Sequence, residues 1–290
     1  MSSKFGVSGL RCCLLARTSF LSGVVVVGFM VICWLAAAPN AQAQRWEIGG
    51  WAGVAHYFGD LNPDFSLKRP GAAGGGIARY NFNERIAGKV SLNYGRISGY
   101  DSDSPSAFQR ARNLSFRSDI LDATAQLEFN FLPYQHGSRD DLFSPYVFLG
   151  GGVFSFNPQT QFEGKWVALQ PLGTEGQYIG SEYSLTQPQL AYGLGLKWDF
   201  TRDWCLNVEL SARQLFTDYL DDVSGNYTSR ANLRSLRGDL AVALADRSIG
   251  DAAPIGRQNR MRGNGINNDT YMFLSIGLLY NFNSVRCFDF

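Results

Sequence analysis

The sequence carries little charge and no bias in its sign. Charged residues make up 18% of the 290, and 26 Lys and Arg face 25 Asp and Glu. There is no basic run, which excludes the electrostatic footprint of a nucleic-acid partner. Histidine is scarce, with two only, His56 and His136. A metal centre of clustered Cys and His cannot be built from that inventory. Of five cysteines, Cys12, Cys13 and Cys33 lie near the N-terminus, which leaves Cys205 and Cys287 for the rest of the chain. Helical periodicity is almost absent. After Ala38 no apolar run reaches the ~18 residues of a membrane helix. What fills the chain instead is aromatic side chain, 14% of residues, and 32 glycines.

The N-terminus reads as an export signal. Lys4, Arg11 and Arg17 form a basic start, Ser19 to Ala38 an apolar stretch, and Ala41-Gln42-Ala43 a small-residue cleavage site. Residues 1–43 are therefore expected to leave as a signal peptide, with Gln44 first in the mature chain. An uncleaved anchor is the alternative, because the apolar stretch is long enough to span a bilayer. Lipidation at Cys33 is not expected, since Trp34 follows it. Export brings Cys205 and Cys287 into an oxidising compartment where two thiols can pair.

The rest of the chain alternates with period two. In QLAYGLGLKWDF, Leu190, Tyr192, Leu194, Leu196, Trp198 and Phe200 share one face. Gln189, Ala191, Gly193, Gly195, Lys197 and Asp199 share the other. WCLNVELSAR, DATAQLEFNF, IAGKVSLNY and YMFLSIGLLYNF repeat the pattern. A soluble sandwich would turn the apolar face inward, whereas a membrane barrel turns it outward. Three features select the barrel. The apolar faces end in Tyr, Trp and Phe, as interfacial girdles do. The strands run to ten residues or so, right for a tilted membrane strand. The opposite face is rich in Gly, Ala and Ser, which suits a narrow lumen.

Eight strands are predicted, near Trp46–Tyr57, Gly71–Phe82, Ile86–Tyr100, Ser115–Phe131, Ser144–Asn157, Pro188–Phe200, Trp204–Tyr219 and Asp269–Phe282. In PYVFLGGGVFSF both faces are apolar, so the facing of the fifth strand stays open. Connections alternate between short turns (83–85, 132–143, 201–203) and long loops (58–70, 101–114, 158–187, 220–268). That asymmetry marks an eight-stranded antiparallel transmembrane β-barrel with both termini periplasmic. Residues 44–290 form it, with a tail at 283–290.

A lumen of this size is filled by its own side chains. Glu47, Arg79, Lys89, Asp122, Glu128, Lys197, Asp199, Glu209 and Arg213 fall on the inward parity. Their signs nearly balance, so an internal ion-pair network is expected and an open pore is not. Chemistry is thin. His56 falls near the outer end of the first strand on the lipid-facing parity, and His136 in a periplasmic turn. His56 with Asp218, Asp221 or Asp222 is the one set that could serve an outer-leaflet hydrolase. The carboxylates of DYLDDVSGN offer oxygen ligands for calcium but lack a known loop spacing. No cofactor is expected. Arg230, Arg234, Arg237, Arg257, Arg260 and Arg262 make the last long loop basic in part. Lipopolysaccharide phosphates, a secreted cargo or plain solvent could all face them.

Several stretches together resemble the PorG-like outer-membrane barrels of the Bacteroidetes type IX secretion system. They are HYFGDLNP (56–63), FRSDILDATAQLEFNFLPY (116–134), SPYVFLGGGVFSFNP (144–158), LQPLGTEGQ (169–177), RQLFTDYLDDVSGNY (213–227) and LADRS (244–248). The resemblance implies a structural part of the secretion machine, without catalytic residues or cofactor. It implies contact with a periplasmic ring of a PorK-like lipoprotein and its PorN-like partner. The competing reading is an OmpA-like small barrel for adhesion or envelope stability, working through its outer loops.

The C-terminus supplies one more signal. Insertion machinery for such barrels reads a last strand of the form polar-x-Gly-x-x-aromatic-x-aromatic. Ser275, Gly277, Tyr280 and Phe282 fit it. The strand is then expected to end at Phe282. Cys287 in the tail would form a disulfide with Cys205 or a link to a periplasmic partner.

Overall fold

The computed structural model describes residues 46–62, 68–136, 138, 140–249, 255–265 and 268–282. The expected signal peptide and cleavage site, and the expected tail at 283–290 with Cys287, lie outside the described residues.

Nine strands form, and eight of them close a barrel. They are β1 (Trp46–Phe58), β2 (Gly71–Asn81), β3 (Ile86–Tyr100), β4 (Ser115–Asn130), β5 (Phe143–Phe162), β6 (Lys165–Ala168), β7 (Thr186–Asp199), β8 (Trp204–Leu215) and β9 (Thr270–Asn281). Pairing is antiparallel throughout, and β1 closes on β9 with Glu47 opposite Asn281 and Phe58 opposite Thr270. The strand β6 is a short ribbon that pairs only with the far end of β5.

Two strand bounds depart from the sequence reading by more than two residues. The fifth runs on to Phe162, because Glu163 and Gly164 take positive φ values of 49° and 79°. That is the backbone of a two-residue hairpin turn, and it folds β6 back on β5. The seventh barrel strand, β8, stops at Leu215 rather than Tyr219. Beyond it, Asp221 accepts from Tyr57 of β1 and Asp222 from Thr174 of a capping loop instead of continuing the ladder.

The alternation sets which side chains meet lipid. Leu92 is 63% exposed, Leu121 61% and Ile276 60%, and all three face outward. The open facing of β5 is resolved: Tyr146, Phe148, Phe154 and Phe156 are buried, while Val147, Leu149 and Val153 are exposed. Glycine makes room for the inward rings. A Cβ on Gly195 would lie 2.5 Å from the Tyr146 ring, and one on Gly75 2.7 Å from the Trp51 indole nitrogen.

At the short-turn end the outward face becomes an aromatic girdle. Trp46 packs on Tyr80 with ring centroids 5.0 Å apart, Trp204 on Tyr280 at 5.2 Å, and Tyr280 on Phe282 at 5.3 Å. Such rings sit where hydrocarbon meets headgroup. A closed barrel with an apolar outer wall and this girdle is an integral outer-membrane protein.

The turns are held by their own side chains. Asn83 Oδ1 accepts from the amides of Arg85 and Ile86, each at 2.8 Å. The long loops fold into a cap with three helices, α1 (Ala107–Arg112), α2 (Arg230–Arg237) and α3 (Asp239–Ala245). These helices were not expected from the sequence, where helical period is faint.

Candidate functional site

The lumen is layered. Nearest the short turns lies a layer in which charged inward residues of six strands converge. Arg79 donates from Nη1 to Glu47 Oε2 at 2.7 Å and from Nη2 to Asn207 Oδ1 at 2.7 Å. Its Nε faces Glu128 Oε2 at 2.9 Å as an ion contact outside hydrogen-bond alignment. Glu128 also meets Lys197 Nζ at 2.7 Å and Lys89 Nζ at 3.3 Å. Lys89 is paired in addition with Glu209, which accepts from Tyr146 Oη at 2.6 Å. Arg79, Glu47, Glu128 and Lys197 are all fully buried.

His136 completes this layer from outside the wall. The β4–β5 turn folds its ring into the lumen, where Nδ1 lies 2.5 Å from Asp199 and Nε2 2.8 Å from Glu47. Tyr134 from the same turn donates to Asp199 at 2.6 Å and to Cys205 Sγ at 3.0 Å. Four carboxylates (Glu47, Glu128, Asp199, Glu209) meet three basic side chains (Arg79, Lys89, Lys197), and a protonated His136 supplies a fourth. Burial alone would lower its pKa, but the bonds to Asp199 and Glu47 outweigh it and hold the ring up at about 9. The sequence reading placed His136 in a turn and gave it no part in the lumen. A turn residue reaching into a barrel leaves no periodic trace.

Above this layer Asp122 joins Arg213 at 3.0 Å, Asn93 at 2.8 Å and Tyr271 at 2.9 Å. Higher still the lumen is filled by Ile97, Phe116, Ile120, Phe154 and Phe156, all buried.

The cap closes the other end. Arg112 grips Asp101 through two bonds of 2.7 Å. Arg262 reaches Glu175 at 3.2 Å and Asp222 at 3.5 Å, and both arginines are buried. Tyr57 bonds to Asp221 at 2.5 Å and lies 3.2 Å from Asp269. Burial, with repulsion from neighbouring carboxylates, raises Asp221 and Asp269 well above the usual carboxylate range. Burial likewise brings Asp60 to about 6, Asp222 to about 6 and Asp218 to about 7.

The hydrolase set does not assemble. His56 faces outward and stacks on Phe58 at 6.4 Å, whereas Asp221 and Asp222 are buried among Tyr57, Thr174 and Tyr183. The DYLDDVSGN carboxylates form no metal site: among the described residues no three acidic, Cys or His side chains are placed to hold a metal. Four loop arginines are engaged within the cap, Arg230 with Asp246, Arg234 with Asp239, Arg237 with Glu182, and Arg262 as above. Cys205 is buried and faces the lumen. Ser275 and Gly277 fall on the inward parity of β9, Tyr280 and Phe282 on the outward one.

A family described as a domain of unknown function, DUF6089, matches residues 26–242. The chain belongs to the DUF6089 family. The match runs through β8 and most of the cap and ends before β9. No curated protein matches this DUF6089 chain. Solved structures similar to it include the outer membrane protein OprG of Pseudomonas aeruginosa, at 13% identity and a TM-score of 0.42 over 84% of this chain and 99% of that one. Neisserial surface protein A is similar at 13% identity and a TM-score of 0.41, over 83% and 100%. Ail of Yersinia pestis, in complex with a heparin analogue, is similar at 13% and 0.37, over 82% and 97%.

Proposed function

We propose that this DUF6089 barrel is a structural component of a type IX secretion machine. It ties a periplasmic ring of PorK-like lipoprotein and PorN-like partner to the outer membrane. The observation that supports a structural role is the filled lumen. Charged side chains pair across its whole width near the short turns, and the cap covers the other mouth. A barrel so packed offers surfaces rather than a conduit. The resemblance of six stretches to PorG-like barrels supplies the machine, and the short turns supply the face that a periplasmic ring would meet.

A specific observation favours a second reading. Three of those stretches meet in the cap: HYFGDLNP through Tyr57, LQPLGTEGQ through Thr174 and RQLFTDYLDDVSGNY through Asp221 and Asp222. Half of the stretches that carry the resemblance thus meet beneath the cap. An OmpA-like surface barrel would concentrate its signature there.

Exchange experiments separate the two. Replacing residues 83–85 and 201–203 with Gly-Ser turns should lower secretion of type IX cargo while the barrel stays folded. Truncating the cap between Ser229 and Arg247 should leave secretion intact. The reverse pattern favours the surface barrel and removes the ring-anchor reading.

A further inference from the structure

The barrel wall has a notch at its loop end. The β1–β2 ladder stops at Ala55 opposite Gly71, and the β2–β3 ladder starts at Ala73 opposite Gly95. Both flanking strands continue beyond it. β1 pairs with β9 up to Phe58, and β3 pairs with β4 up to Tyr100. Residues 56–58 and 98–100 therefore lie past the end of β2, with no β2 residue between them. A cleft of about 450 Å³ fills the gap, lined by His56, Ser98 and Tyr100 below and by Lys68, Arg69 and Asp103 above.

The strand register fixes its depth in the membrane. Outward residues of β3 and β4 pair as Tyr94 with Leu121, Arg96 with Asp119 and Ser98 with Arg117. Below the first pair the outward face is apolar, with Leu92 and Val90 exposed. Above it the face is charged: Arg96 bonds to Asp119 at 2.6 Å, and Arg117 stacks 3.6 Å over Trp166. The hydrocarbon boundary lies between these levels, so Ser98 and Tyr100 place the cleft among headgroups. Charge inside it is uneven. Arg69 pairs with Asp103 through Nε and Nη2 and stacks 4.1 Å from the Tyr100 ring. Lys68 bonds only to the Asp103 carbonyl, at 3.3 Å, among the described residues. Two cations thus face one carboxylate, whereas four of the cap arginines have acidic partners of their own.

We propose that this notch docks the phosphate of an outer-leaflet lipid headgroup, with Lys68 and Arg69 as the anion-contacting pair. Lys68 supplies a point charge, and Arg69 is held over the cleft by the Tyr100 ring. His56, Ser98 and Tyr100 lie on the outward parity of their strands, the side from which a headgroup would reach the cleft. The proposal does not rest on the ring-anchor reading.

Native mass spectrometry of the full protein extracted from outer membranes tests it, with bisphosphorylated lipid A as the probe. Lys68→Ala/Arg69→Ala should bind roughly thirtyfold more weakly than the unaltered chain, in line with the loss of two juxtamembrane cations. Arg230→Ala/Arg234→Ala, with its charges removed from the cap, should bind as the unaltered chain does. Phosphate-free lipid A should bind all three equally and weakly. Inorganic pyrophosphate at the same concentration should leave the protein bare. Heat-shifted gel mobility verifies that each variant is folded. Undiminished lipid A binding by the Lys68/Arg69 variant overturns the proposal, as does equal binding of the phosphate-free lipid. Occupancy by pyrophosphate matching that of lipid would assign the cleft to free phosphate instead.

Discussion

Glu128 holds three cations, Arg79, Lys89 and Lys197, where water is excluded. Removing one partner from a buried network leaves charge uncompensated, which costs about 3–5 kcal/mol. Glu128→Gln should therefore lower the urea midpoint of the barrel markedly, and adding Lys197→Met should restore part of it. An unchanged midpoint for the single variant would mean that the layer is hydrated and soft. His136 adds a pH signature. Its folded pKa, about 9, lies above the ordinary value of 6.5. Its contribution is complete below the ordinary value and is lost as pH rises through about 9. Unfolding at pH 7 and at pH 10 should differ for the unaltered chain, and His136→Gln should shrink that difference. At this scale the sequence was informative about facing but not about partners. Period two assigns Glu47, Arg79 and Glu128 to one side of the wall. Which of them touch depends on strand stagger around the barrel, which the one-dimensional pattern does not contain. β5 was ambiguous for a related reason, since Phe148, Gly150 and Phe154 face in while Val147, Leu149 and Val153 face out. Both faces are apolar because the upper lumen is lined with aromatic rings.

At the scale of elements, β9 carries the candidate insertion signal and closes the ladder with β1. The Phe282 amide donates to the Trp46 carbonyl at 3.0 Å, and its ring is 50% exposed to the membrane side. Phe282→Ala should reduce the yield of folded, heat-modifiable barrel in vivo more than it changes the urea midpoint of what does fold. Equal losses in both would make Phe282 a packing residue only. The cap is the element least visible in sequence. Its helices are six, eight and seven residues long, too short for a clear 3.6 period. α2 and α3 pack Leu233 against Ala241 and Ala245 in a small apolar cluster, while buried Arg112 and Arg262 tie α1 and α3 to the neighbouring loops. The cap has its own pH dependence. Asp60 and Asp222, at about 6, and Asp218, at about 7, titrate above the ordinary 3.8. Carboxyls raised in the folded state contribute stability that is complete below the ordinary value and lost as pH rises through 6 to 7. Protease should cut the 216–268 loop more slowly at pH 5 than at pH 8. Faster cutting at pH 5 would show that these groups are ionised and paired.

The described residues form a wall, a filled lumen and a lid. The wall was legible because a membrane barrel must repeat apolar-out residues on every strand and end them in aromatic girdles. The notch and the lid were not, because they depend on where strands stop relative to their neighbours. With its lumen packed, the barrel would act through its two ends, and the ring-anchor reading assigns the working contact to the short-turn end. Site-specific photocrosslinking in intact outer membranes tests that most directly, with the probe placed at Glu84 or Arg202 in the short turns and at Tyr178 in the cap. The account predicts that the turn probes capture the periplasmic ring lipoprotein and that the Tyr178 probe does not. Capture of no ring protein from the turns, with adducts confined to the cap, would contradict it.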